Sequence, residues 1–211
     1  MSVYPELDSL DLRGLTRCWR GSPPDGEEYA IAYDDELAYK ICNQGGTEFL
    51  LQEVTRADLP RLAAILSHLP FNPQLQTIAY LRHEQPLIVA RAIDRLRFET
   101  CCAPITQNLI DQVLSLRSHK DACIRGAVLR FANQIIPESA IPILLEGLKD
   151  PSYLVRMSAI DELDELPYVE AISNIQPLLN DPHEFVREAA REAIAHLTTT
   201  YSQANDYSLR A

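Results

Sequence analysis

Asp150-Pro151-Ser152-Tyr153-Leu154-Val155-Arg156-Met157-Ser158-Ala159 and Asp181-Pro182-His183-Glu184-Phe185-Val186-Arg187-Glu188-Ala189-Ala190 are two copies of one pattern. Asp, Pro, Val, Arg and Ala recur at a shift of 31 residues. One further step back from Arg156 reaches Arg125, preceded by Ile124. Upstream positions keep the same step: Ile110, Ile141 and Ile172, then Val113, Leu144 and Ile175. A diverged copy lies at Gln85-Pro86-Leu87-Ile88-Val89-Ala90-Arg91, 34 residues before Arg125. Thr47 to Leu69, broken at Asp58-Leu59-Pro60, is a weaker unit.

A fixed period of this length is the mark of a repeat architecture. Within a unit, Ile141, Leu144, Leu145 and Leu148 follow the i, i+3, i+4, i+7 rule of an amphipathic helix. Asp-Pro then predicts a stop and a new start, Asp as N-cap and Pro in the first turn. The second helix buries Val155, Ala159 and Leu163, and its counterpart buries Val186 and Ala190. Helix pairs are expected near 47–69, 73–98, 106–134, 138–166 and 169–198. One pair cannot cover its own apolar face, so neighbours stack. The fold class is all-α: a right-handed α-solenoid of about five helix pairs, with an N-terminal cap segment.

Three segments follow: a cap or arm over 1–46, the repeats over 47–198, and a flexible polar tail over 199–211. The first contains Trp19, the only tryptophan, between Arg17-Cys18 and Arg20. It reads either as the end cap that a solenoid needs or as a partner-binding arm. Gly45-Gly46 reads as a helix stop.

The repeated arginines Arg91, Arg125, Arg156 and Arg187 share one structural position. With Asp150 and Asp181 they are expected to form an internal ladder between units. Arg82, Arg91, Arg95 and Arg97 crowd the diverged unit, near His83 and Cys101-Cys102, and form a candidate site for a small anion. The outward row of second helices is expected to hold Gly126 and Arg130, then Tyr153, Met157 and Asp161, then Glu184, Glu188 and Glu192. Aromatic and Met side chains suit an interface centre, and acids suit a steering rim. The carboxylate pairs Asp161/Glu162 and Asp164/Glu165 are read as an exposed, solvated face.

Composition narrows the function. Net charge is −11, of which residues 138–197 carry −8. That disfavours general nucleic-acid binding, which needs a basic face. The five cysteines include no CxxC pair, and the five histidines lack metal spacing. No nucleophile elbow, phosphate loop or catalytic set stands out. Met1 to Glu6 resembles no secretory signal, and no run approaches the ~20 apolar residues of a membrane span. A cytoplasmic, non-catalytic module is expected, with no cofactor or metal and no membrane span, binding a protein of basic or mixed charge.

The run Leu179-Asn180-Asp181-Pro182-His183-Glu184-Phe185-Val186-Arg187-Glu188-Ala189-Ala190 resembles the HEAT-like repeat of the cyanobacterial phycobilin lyases of the E/F type and related phycobilisome or assembly factors. The resemblance extends over roughly residues 105–198. It implies an adaptor, assembly or chaperone module serving a photosynthetic complex. The alternative it implies is a bilin lyase subunit or tetrapyrrole-handling chaperone, with the bilin propionates on the central arginines.

Overall fold

The computed structural model describes residues 4–22, 30–70, 77–99, 105–166 and 168–208. Cys101, Cys102, Pro23 and Pro24 lie outside these. Among the described residues every regular element is helical. The chain divides into two compact units, Met1–Pro104 and Ile105–Ala211.

The first unit holds α1 (Leu12–Trp19), α2 (Ala30–Asn43), α3 (Thr47–Glu53), α4 (Leu59–His68) and α5 (Pro86–Glu99), with a 3-10 segment at Thr77–Arg82. Asp11 starts α1 by accepting the Gly14 N–H at 2.8 Å, and Asp58 starts α4 by accepting that of Arg61. α2 stops where Gly45 takes φ +81°, a conformation without penalty only for glycine. Gly46 must also lack a side chain. A Cβ there would fall 2.5 Å from Ile41 and 2.6 Å from Leu12.

α2 lies along α4, and α4 along α5. Leu15, Trp19, Leu37, Ile41, Leu50, Ile65 and Ile88 form one core. The segment expected as a cap over 1–46 shares this core: α1 and α2 bury their apolar faces with α3 to α5. Trp19, offered as the anchor of a binding arm, is only 1% exposed. Its indole fills the core, with the Arg61 guanidinium 5.9 Å from the ring.

One buried group works against the first unit. Asp34 is buried, its Oδ1 accepts no hydrogen bond, and Arg61 Nε stands 3.7 Å away. Desolvation pushes its carboxyl up to about 6 from the model-compound value of 3.8, only partly offset by Arg61. A raised folded pKa favours folding while the group is protonated. Stability should thus fall as pH rises from about 4 to about 6 and then level off, by roughly 3 kcal/mol at ~1.4 kcal/mol per unit. Asp34→Asn is expected to raise urea-unfolding stability at pH 7 and change it little at pH 4. Equal effects at both pH values would show that this carboxyl is already solvated.

The second unit holds α6 (Gln107–Leu114), α7 (Ala122–Ile135), α8 (Pro137–Gly147), α9 (Tyr153–Glu165), α10 (Ile172–Ile175) and α11 (Glu184–Ser208), with 3-10 segments at Ser115–Ser118, Val169–Ala171 and Gln176–Asn180. Helix pairs follow the 31-residue step: α6 with α7, α8 with α9, α10 and its flanking 3-10 turns with α11. Second helices also pack on one another, α7 on α9 and α9 on α11. Val155, Ala159, Val186 and Ala190 are buried in the shared core with Leu129, Leu144, Leu163 and Ile175.

Two local expectations change. Asp150 and Asp181 do not sit at the N-cap, and Pro151 and Pro182 precede the helices rather than opening them. Each Asp instead closes a turn two residues ahead, accepting the N–H of Ser152 at 2.8 Å and of His183 at 2.9 Å. The tail expected from residue 199 begins inside α11, which runs on to Ser208.

Candidate interaction surface

The ladder sets the register of the second unit. Arg125 donates from Nε to Asp150 Oδ2 and from Nη2 to Oδ1, both at 2.7 Å. Arg156 repeats this on Asp181, both at 2.8 Å. The third nitrogen, Nη1, turns back to the carbonyls of the arginine's own turn. Those are His119 and Lys120 for Arg125, Asp150 and Pro151 for Arg156, and Asp181 and Pro182 for Arg187. Each planar guanidinium thus ties its own turn to the next one, a geometry lysine lacks. Among the described residues Arg187 pairs with no carboxylate. Burial pushes the Asp150 and Asp181 carboxyls up, but the arginine and backbone hydrogen bonds pull both below the ordinary range.

On the row of second helices, Gly126 is buried rather than outward. A Cβ there would lie 3.4 Å from Ser158 Oγ and 3.6 Å from Arg130 Nη1, so Arg130, itself half-buried, covers it. Tyr153 is half-buried and stacks face to face on His183, with centroids 3.6 Å apart and planes 5° apart. Met157 is half-buried against the core. Asp161, Glu184, Glu188 and Glu192 are exposed.

The paired-carboxylate reading is corrected at Glu162. That side chain is buried, and Asn133 Nδ2 donates to its Oε2 at 2.7 Å, joining α7 to α9. Asp164 meets His196 Nδ1 at 2.8 Å, joining α9 to α11. Asp161 remains in an acidic edge. Desolvation first, then Asp164, Glu165 and Glu192, push its carboxyl up.

Sequence reasoning missed two residues. Leu154 is 43% exposed and Phe185 is 51% exposed. They are 31 apart, and Cys123, also exposed, stands 31 before Leu154. The same outward position is thus apolar in three successive repeats. The step itself was the available signal.

Of the four arginines of the first unit, Arg91 and Arg95 border one pocket, and Arg82 and Arg97 do not. Arg95 is buried and spends its guanidinium on the end of α4, donating to Thr77 Oγ1 at 3.2 Å, the Leu69 carbonyl and the Pro70 carbonyl at 2.9 Å. These bonds hold the chain where it leaves α4. Arg97 pairs with Asp94 at 3.4 Å and leans over Phe98, while Arg82 is exposed. Arg91 is half-buried, and its Nε has no hydrogen-bond partner. With Arg95, His68 and Phe98 it borders a pocket of about 300 Å3. Among the described residues no group of three or more His, Cys, Asp or Glu is placed to hold a metal ion. No described helix is long and apolar enough to cross a membrane.

The chain is similar over 92% of its length to 94% of an engineered protein solved by the Northeast Structural Genomics Consortium, at 16% identity and a TM-score of 0.53. A second engineered protein from the same consortium aligns over 90% of this chain and 99% of its own, at 17% identity and a TM-score of 0.51. These likenesses concern the fold. No curated protein matches the sequence. Residues 110–195 match the family model described as HEAT repeats. That span runs from within α6 to within α11 and includes both rungs of the ladder. Over that span the second unit is similar to HEAT repeats, on a chain whose described secondary structure is helical throughout.

Proposed function

We propose that the chain is a non-catalytic protein-interaction module that holds its partner on the row formed by α7, α9 and α11. The carrying observation is Leu154 and Phe185, large apolar side chains held in the open at equivalent repeat positions. They sit one residue after Tyr153 and Glu184, and the exposed acids Asp161, Glu188 and Glu192 follow along the same helices. Apolar side chains supply contact area, and a rim of acids selects a partner with basic zones.

The ladder arginines belong to the scaffold, since Arg125 and Arg156 are consumed by Asp150 and Asp181. Tyr153 contributes to the surface through its packing on His183, which shapes the ground beside Leu154 and Phe185.

Affinity capture from a cell extract with mass spectrometry tests this reading. Leu154→Ser with Phe185→Ser is expected to abolish the captured species at an unchanged melting temperature. Glu184→Gln with Glu188→Gln and Glu192→Gln should leave capture intact at high salt but flatten its dependence on ionic strength. A partner that survives Leu154→Ser with Phe185→Ser would remove the row from consideration.

Service to a phycobilisome-related assembly is a finer reading, supported by the resemblance of residues 179–190. Adding phycocyanobilin to the pure protein separates adaptor from chromophore handler. An adaptor leaves the visible spectrum of the bilin unchanged. A shifted band that Arg91→Gln removes would favour the pocket beside α5.

A further inference from the structure

A second surface of the Ile105–Ala211 unit carries the opposite charge. Residues 105–211 contain fifteen acids and nine bases. Both lysines of that stretch, Lys120 and Lys149, border one cleft of about 550 Å3, and Arg117 borders it too. All three are exposed. None forms a side-chain hydrogen bond or ion pair with a described residue, whereas Arg125 and Arg156 on the neighbouring helices are fully paired. The floor is apolar, made by Leu129, Ile143 and Val155. The Arg125–Asp150 rung forms a wall and fixes the turn bearing Arg117 and Lys120 against the turn bearing Lys149. Glu146 is the one unpaired acid on the lining, so the cleft stays positive.

The repeat does not require these cations. One step of 31 from Arg117, Lys120 and Lys149 reaches Leu148, Pro151 and Asn180. Those residues flank the second rung, Arg156–Asp181, which has the same geometry as the first. A rung therefore forms without charge at these three positions. The positions that carry unpaired cations at one rung carry none at the next, which marks a feature added to the scaffold.

We infer that this cleft binds a short acidic segment of a partner protein, its carboxylates on Arg117, Lys120 and Lys149 and an apolar side chain on the floor. A peptide fits better than a nucleic acid. A long phosphate backbone leaving the cleft would run over a unit rich in acids, at a cost that grows with its length. A short segment ends within the cleft. This surface is separate from the Leu154 and Phe185 row, and the inference goes beyond that reading.

Fluorescence anisotropy with a short fluorescein-labelled peptide of Glu-Glu-Leu blocks tests it on the full chain. Binding is expected at low salt, falling as sodium chloride rises. The same peptide with Gln in place of Glu should not bind. Arg117→Glu with Lys120→Glu and Lys149→Glu should weaken binding at least about tenfold. All three positions are exposed, so the fold should survive, and a circular-dichroism melt checks that. Lys149→Glu alone, the mildest change, should give an intermediate loss. Leu154→Ser with Phe185→Ser should bind the peptide like the parent, which keeps failure of this cleft distinct from failure of the row. The inference is overturned by unchanged affinity in the folded triple variant, by absent binding at about 1 mM protein, or by a labelled single-stranded oligonucleotide binding more tightly than the peptide.

Discussion

Val186→Asp is expected to unfold the second unit at temperatures where the parent is stable. Val186 has no solvent exposure and sits on α11 against Ala159, Leu163 and Ala190 in the shared core. No cation of the ladder reaches into that interior, because Arg156 and Arg187 are held at the turns by Asp181 and backbone carbonyls. A carboxyl placed there stays neutral or pays for its charge alone. Full burial lifts a carboxyl by up to ~3–5 pKa units, so at pH 7 the group is largely protonated and the loss is about 4 kcal/mol. That is a large part of the ~5–15 kcal/mol that holds a domain together. Val186→Ala should cost much less, about 1–2 kcal/mol, because it only removes methyl groups. Urea unfolding followed by circular dichroism reads both. A Val186→Asp protein that unfolds like the parent would place α11 on the wrong face.

The second unit was legible because its period is strict. Every 31 residues the same apolar pattern, turn and arginine return, so three helix pairs could be set side by side before any contact was known. The helix starts were displaced by two residues because Asp-Pro supports two arrangements. In one, Asp is the N-cap. In the other, Asp closes a turn and the helix begins after it, and at Asp150 and Asp181 the neighbouring arginine selects the second by occupying both carboxylate oxygens.

The first unit was less legible, and the reason is physical rather than statistical. Its helices keep no shared period, so the sequence offered no measure of which residues pack together. Trp19 between two arginines looks like a surface anchor. In the structure those arginines stay at the rim while the indole turns inward, and a third, Arg61 from α4, lies over its ring. Arg95 looked like one of four similar cations, yet the Leu69 and Pro70 carbonyls just past α4 needed donors and Arg95 was within reach. Glu162 was hidden by the same limitation: Asn133, the residue that donates to its buried carboxylate, lies 29 residues away. Side-chain periodicity finds helix faces, but it does not find the polar partners that cross between helices.

Arg156→Ala and Arg187→Ala should therefore differ, although the sequence gives both arginines the same position. Arg156 serves its own turn and the next: it donates to the carbonyls of Asp150 and Pro151 and grips Asp181 with two bonds of 2.8 Å. Removing it leaves Asp181 buried with the His183 N–H as its remaining partner, and orphaning a buried charge costs about 3–5 kcal/mol. Among the described residues Arg187 bonds only to the carbonyls of Asp181 and Pro182. Its loss should cost about 1.5–3 kcal/mol, as for hydrogen bonds to a charged group. The pH dependence separates the two further. The Asp181 carboxyl is held below its ordinary range, chiefly by Arg156 acting against the cost of burial. A depressed folded pKa gives stability that is present above the unfolded value and is lost as pH falls through the folded one. The gap between parent and Arg156→Ala should be widest near pH 7 and narrow below about pH 4, whereas the gap for Arg187→Ala should vary little with pH. Arg156→Met combined with Asp181→Leu should recover much of the loss, because an apolar pair leaves no buried charge behind. Equal losses for Arg156→Ala and Arg187→Ala across this range would mean that the arginines act only through their own turns and that the bond between repeats contributes nothing.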